Sequence, residues 1–174
     1  MTDREAQVRK VVESLEHDME FLGITGVEDK LQEDVCNTLE TLRDAGVQVW
    51  MLTGDKIETA TCIAISAGIK SNQQDVFIMK ELTDPVEIKE KLNAFSNTYN
   101  KVLIIDGITL GVALEKCYQT FFESACKAPA VVCCRCSPTQ KAIVTEGIKK
   151  VTKKKTCAIG DGGNDVGMIQ AADV

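Results

Sequence analysis

A layered α/β fold built on a parallel sheet is predicted by three observations. Short apolar runs alternate along the chain with stretches of helical periodicity. The longest of those runs, such as Val102–Ile105 and Ala128–Cys134, are the length of strands. Polar, glycine-bearing turns follow several runs immediately, which is where open α/β sheets place their ligands.

The elements follow in order. Residues near 5–20 carry a charged helical pattern, and Glu20–Thr25 reads as a strand entry. Gln32–Ala45 sets Val35, Cys36, Leu39 and Leu42 at helical spacing and stops at Gly46. Gln48–Leu52 is a short apolar strand, and Glu58–Ala67 is a helix closed by Gly68. Val76–Met79 is a weaker strand, and Pro85–Asn97 opens a helix with proline in its first turn. Val102–Ile105 is a strand, Leu110–Ala128 one long helix, and Ala130–Cys134 a further strand. Ser137-Pro138 supplies an N-cap and an N1 proline for a helix over Thr139–Lys150. Thr156–Ile159 is expected as the last strand, before a short final helix. No Gly/Ser/Pro linker or repeat divides the sequence, so residues 1–174 are expected to form one domain, with 1–20 as a helical lead-in and 70–128 as its least distinctive part.

At 174 residues the chain suits one core, with a folded surface of roughly 8,400 Å². Its 26 acidic and 20 basic residues leave a net charge of −6, which argues against nucleic acid as a partner. No apolar stretch approaches the roughly 20 residues of a membrane span, and the charged start carries no secretory signal, so the piece is expected to be soluble and cytosolic. Of eight cysteines only Cys133-Cys134-Arg135-Cys136 is dense. Its spacing does not suit zinc, and buried reduced thiols are the expectation. The single histidine, His17, reads as a surface residue.

Four polar sites follow expected strands. Thr53-Gly54-Asp55 offers a hydroxyl and backbone N–H groups before a helix N-terminus, a cradle for phosphate, although the triplet is also a common turn with a capping Asp. Arg135 and Lys141 come next. A lysine near a helix start opposes the dipole and makes more sense beside a bound anion; a surface lysine is the alternative. Gly160-Asp161-Gly162-Gly163-Asn164-Asp165 is the strongest signal, because two carboxylates and an amide on a glycine loop suit Mg²⁺ beside phosphate. The fourth site, Asp106, ends an apolar strand as a nucleophile would, but Ile108 stands where a helping acid or hydroxyl is needed. A capping Asp is the preferred reading. The lysines at 149, 150, 153, 154 and 155 read as a solvated helix C-terminus.

Together, Thr53-Gly54-Asp55, Pro138-x-x-Lys141 and Gly160 through Asp165 resemble motifs two, three and four of the haloacid dehalogenase superfamily. The phrases Trp50 through Ala60, Cys133 through Ala142 and Gly160 through Gln170 look like the phosphorylation domain of type IV P-type ATPases, the phospholipid flippases. The fold implied is a three-layer Rossmann-like parallel sheet, with 1–20 leading in from a nucleotide-binding domain. The resemblance implies that Asp161 holds Mg²⁺, that Asp165 supports it, and that Asn164 and Lys141 contact the transferred phosphoryl group. Thr53, Gly54 and Asp55 would bind phosphate and Arg135 the nucleotide, with ATP as substrate and Mg²⁺ as cofactor. It further implies an integral membrane parent that moves phospholipid, with this chain on the cytosolic face of a Golgi, endosomal or plasma membrane. The lipid and any accessory subunit are not specified by these residues.

The family's Asp-Lys-Thr-Gly-Thr nucleophile motif does not occur here; Asp55-Lys56-Ile57-Glu58-Thr59 belongs to the second motif. The chain is therefore expected to lack the nucleophile strand, and to be inactive alone. That strand is expected at the sheet's centre, its gap closed by direct pairing of its neighbours or filled by another segment such as Val102–Ile105. A stand-alone Mg²⁺-dependent phosphatase is an alternative that wants an Asp-x-Asp pair after the first strand; a non-catalytic module for Mg²⁺-phosphate or a partner protein is another.

Overall fold

The computed structural model describes residues 4–26, 30–71 and 73–174. They fall into two units, residues 1–30 and 31–174. In the first, helix α1 (Arg4–Leu15) has no buried residue. Its Val8, Val11, Val12 and Leu15 recur at helical spacing and are all exposed. The strand expected at Glu20–Thr25 does not form. A strand exists only through its ladder, and these residues pair with none, leaving Phe21, Leu22 and Ile24 exposed.

The second unit holds the sheet. Helix α2 (Val35–Asp44) precedes β1 (Val49–Leu52), α3 (Ile57–Ser66), β2 (Asp75–Met79), α4 (Pro85–Ser96) and β3 (Lys101–Asp106). Helices α5 (Gly107–Lys116) and α6 (Tyr118–Ala125), strand β4 (Ala130–Cys134), α7 (Pro138–Thr152) and α8 (Val166–Ala171) complete it. The four strands lie in the order β1-β4-β3-β2 and every pairing is parallel. All carboxyl ends therefore meet one rim.

Alternation along the strands separates two cores. Leu103, Ile105, Val131 and Cys133 face the layer of α4, α5, α6 and α7, where Leu92, Leu110, Phe121, Phe122 and Val144 are buried. Val102, Ile104, Val132 and Cys134 face α3, with Ala60 and Ala64 buried and Val35 and Leu39 of α2 packed alongside. This is the three-layer α/β arrangement. Adjacent Cys133 and Cys134 enter opposite cores as small hydrophobes, and all eight cysteines are free.

Three expectations are corrected. The long helix over 110–128 is two helices, broken at Cys117, whose φ of −131° and ψ of 24° leave the helical region. Thr156–Ile159 is not a strand. Its backbone bonds instead go to the chain end, Ala158 N to Val174 O (2.9 Å) and Asp173 N to Thr156 O (2.9 Å). Nor does the sheet hold a gap at its centre among the described residues, because the four strands pair continuously and β1 is an edge. Residues 101–106 are committed to β2 and β4, and β1 pairs only with β4, so its other edge is open among the described residues. The exposed surface is 11,739 Å², above the scaling value, and residues 4–26, all exposed, contribute to the excess.

Candidate functional site

The carboxyl rim assembles in two linked clusters. At the first, β1 and β4 carry their parallel ladder past the sheet. Thr53 N donates to Cys133 O and Cys136 N to Thr53 O, both at 2.9 Å, and Arg135 N donates to Asp55 O at 2.9 Å. Thr53-Gly54-Asp55 and the Arg135 turn are thus locked together. Within the triplet, Thr53 Oγ1 donates to Asp55 Oδ2 (2.8 Å) and accepts from Asp55 N (3.1 Å). Asp55 does not cap α3, whose N-cap is Lys56 with no side-chain bond. Asp55 is exposed. Arg135 adopts a left-handed φ of 50°, turning the chain sharply from β4 toward α7.

That turn delivers the second cluster. Ser137 accepts from Gln140 N while the Gln140 side chain accepts from Ser137 N, a reciprocal cap visible in the sequence as Ser-x-x-Gln. Gln140 also donates to Gly107 O at 2.7 Å, fixing α7 to the start of α5. One turn in, Lys141 is buried, and its Nζ lies 2.7 Å from Asp165 Oδ1. The hydrogen bond from Lys141 holds the Asp165 carboxyl below the ordinary carboxylate range.

Asp165 closes the glycine loop. Its N donates to Gly162 O (2.9 Å), and Gly162 N approaches its Oδ2 (3.4 Å). A Cβ on Gly160 would stand 2.4 Å from Asp165 Cβ, whereas one on Gly162 would meet only the exposed side-chain end of Asn164, its Oδ1 at 2.2 Å, which can turn away. Gly160 is required by close approach to Asp165. Asp161 and Asn164 are exposed, and neither side chain is hydrogen-bonded to a described residue. The donors left for an ion are hard oxygens, which fits Mg²⁺. No group of three or more His, Cys, Asp or Glu gathers as a metal cage among the described residues, so an ion here would keep waters or take phosphate oxygens.

Asp106 is buried and fully engaged, its Oδ1 accepting from Thr109 N and its Oδ2 from Glu81 N, each at 2.9 Å. It is a capping Asp, as its sequence context suggested. Beside it a cavity of about 550 Å³ is lined by Lys56, Glu58, Lys80, Asp106 and Arg135 among others. Neither Lys141 nor Asp161 is among its lining residues.

The haloacid dehalogenase-like hydrolase family matches residues 2–173. The chain belongs to that family. This haloacid dehalogenase-like chain is 56% identical over 173 residues, 99% of its length, to the probable phospholipid-transporting ATPase IIB of Homo sapiens. It is 49% identical over 175 residues to the phospholipid-transporting ATPase NEO1 of Saccharomyces cerevisiae, and 42% identical over 174 residues to the probable phospholipid-transporting ATPase tat-5 of Caenorhabditis elegans. The chain covers 15% of the human and yeast relatives and 16% of the nematode one. Its similarity to phospholipid-transporting ATPases therefore extends along nearly all of its own length. Among the described residues no helix is long and apolar enough to cross a membrane.

Proposed function

We propose that the chain is the distal part of the phosphorylation domain of a phospholipid-transporting P-type ATPase, serving Mg²⁺-dependent phosphoryl transfer from ATP. The observation that carries this reading is the buried Lys141–Asp165 pair beside an unpartnered Asp161 on a loop whose Gly160 packs against Asp165 too closely for a Cβ. Asp161 would hold Mg²⁺, and the bound ion would neutralise phosphoryl oxygens. Asp165, with Oδ1 given to Lys141, supports that site by orienting the ammonium. Lys141 and Asn164 meet the phosphoryl group; Thr53, Gly54 and Asp55 cradle phosphate; Arg135 meets the nucleotide. Donors fixed before the reaction cost no reorganisation when charge shifts onto the phosphoryl oxygens. The attacking carboxylate belongs to polypeptide outside this sequence. In the whole protein, ATP and a phospholipid are the substrates, and this domain lies on the cytosolic face of a Golgi, endosomal or plasma membrane.

Calorimetric titration of the chain with Mg²⁺ and a non-hydrolysable ATP analogue tests the reading. Mg²⁺-dependent nucleotide binding that disappears in Asp161→Ala is expected. Absence of binding by either ligand would overturn it. Turnover of acetyl phosphate, lost in the same variant, would favour a stand-alone phosphatase instead.

A further inference from the structure

Among the described residues, the segment that leads into the glycine loop pairs with no strand. Residues 156–159 join no ladder, yet they carry Asp161 two positions later. Val174 holds them through its O, which accepts from Ala158 N (2.9 Å), and its N, which donates to Thr156 O (3.2 Å); Asp173 adds the side-chain contacts. Its Oδ2 accepts from Thr156 N (3.0 Å) and Thr156 Oγ1 (3.3 Å), while its own N donates to Thr156 O (2.9 Å). Its Oδ1 lies 3.3 Å from Lys149 Nζ and 3.4 Å from Lys155 Nζ. Lys149 also donates to Ala171 O at 3.0 Å.

Lys141 and Lys149 stand eight residues apart on α7, about 12 Å along its axis. The first is bonded to Asp165 before α8, the second to Ala171, the last residue of α8, and to Asp173 beyond it. The loop and α8 are thereby fastened to one rigid helix at both ends. Lys149 is drawn into this clamp rather than left as a solvated C-terminal lysine.

We propose that Asp173 is a positioning residue for the Gly160–Asp165 loop: by tying Thr156 to Lys149 it sets where the Asp161 carboxylate stands relative to Lys141. The inference rests on the reading of Asp161 as the Mg²⁺ ligand. The Thr156 backbone hydrogen bond, with Lys149 and Lys155, holds the Asp173 carboxyl at about 2, so the clamp stays charged at neutral pH. Outer partners of metal ligands commonly govern affinity in this way.

The test compares the chain with Asp173→Ala, Asp173→Asn, Asp161→Ala and, as a control destabilised elsewhere, Leu92→Ala. Two readouts are used at a temperature where each variant is folded: amide hydrogen exchange of residues 160–165 without metal, and calorimetric titration with Mg²⁺ alone. Asp173→Ala is expected to speed loop exchange well beyond the control and to weaken Mg²⁺ binding by about 10-fold or more. Asp173→Asn should fall between, since its amide oxygen still accepts from Thr156; it carries the comparison if the alanine variant does not fold. Asp161→Ala should abolish Mg²⁺ binding and leave exchange unchanged. Loop exchange in Asp173→Ala no faster than in the control, or unaltered Mg²⁺ affinity while Asp161→Ala loses it, overturns the proposal. Should the parent chain bind no Mg²⁺, the metal reading fails, and the exchange comparison alone decides the clamp.

Discussion

Lys141 Nζ stands 2.7 Å from Asp165 Oδ1, with the two side chains only 5% and 11% exposed. Removing one partner from such a pair leaves a shielded charge without compensation. Lys141→Ala is therefore expected to destabilise the chain by about 3–5 kcal/mol, far more than loss of an exposed pair such as Lys150–Glu146. Urea unfolding of the two variants checks the contrast.

Gly147 lies in α7 where a Cβ would come within 2.0 Å of the Phe122 ring. Phe122 is fully buried among the helices of that layer and has no room to swing aside. Gly147→Ala should cost about 1–3 kcal/mol despite the better helix propensity of alanine. A fall in thermal midpoint, where an exposed helical glycine would show a rise, is the expected result.

Acid should weaken the fold through identified carboxylates. Asp165 and Asp173 titrate below the ordinary carboxylate range because of Lys141 and the Thr156 amide respectively. A lowered folded-state value means that the stabilisation is complete above about pH 4 and is lost as pH falls toward about 2. Urea midpoints at pH 7, 4 and 2.5 should hold between the first two and drop at the third, with a shallower drop in Asp173→Asn.

The thiols should divide by exposure. Cys36, Cys62 and Cys157 are exposed, whereas Cys117, Cys133, Cys134 and Cys136 are buried. Burial pushes the Cys134 thiol up to about 12, and the hydrogen bond with Cys136 raises Cys133 further from its thiolate. An aromatic disulfide reagent at pH 8 is expected to react quickly at the three exposed positions and to reach the buried four only after denaturation.

The four strands that form were legible because each is an apolar run whose neighbours lie inside the same chain. Thr156–Ile159 reads equally well as a strand, but strand formation depends on a ladder partner, and no local pattern shows whether one is present. The break at Cys117 was hidden for a related reason: Leu110–Ala128 is apolar on a helical period throughout, and tertiary packing decides where it bends. Within the site, the residue types were legible from the spacing of Thr53-Gly54-Asp55 and of the glycine loop. The Lys141–Asp165 pair was not, since the partners are 24 residues apart and each was assigned to a ligand rather than to the other. Asp173 was missed altogether. Its partner Thr156 is 17 residues away, and nothing around it marks a functional turn.

The single tryptophan, Trp50, lies on β1 with its ring nearly perpendicular to that of Phe121 and its indole N–H buried without an acceptor among the described residues. β1 is the strand whose outer edge is open among the described residues. Any polypeptide that extends the sheet there changes the surroundings of this one fluorophore, so emission wavelength and quenching become an intrinsic optical gauge of strand addition, with no label required.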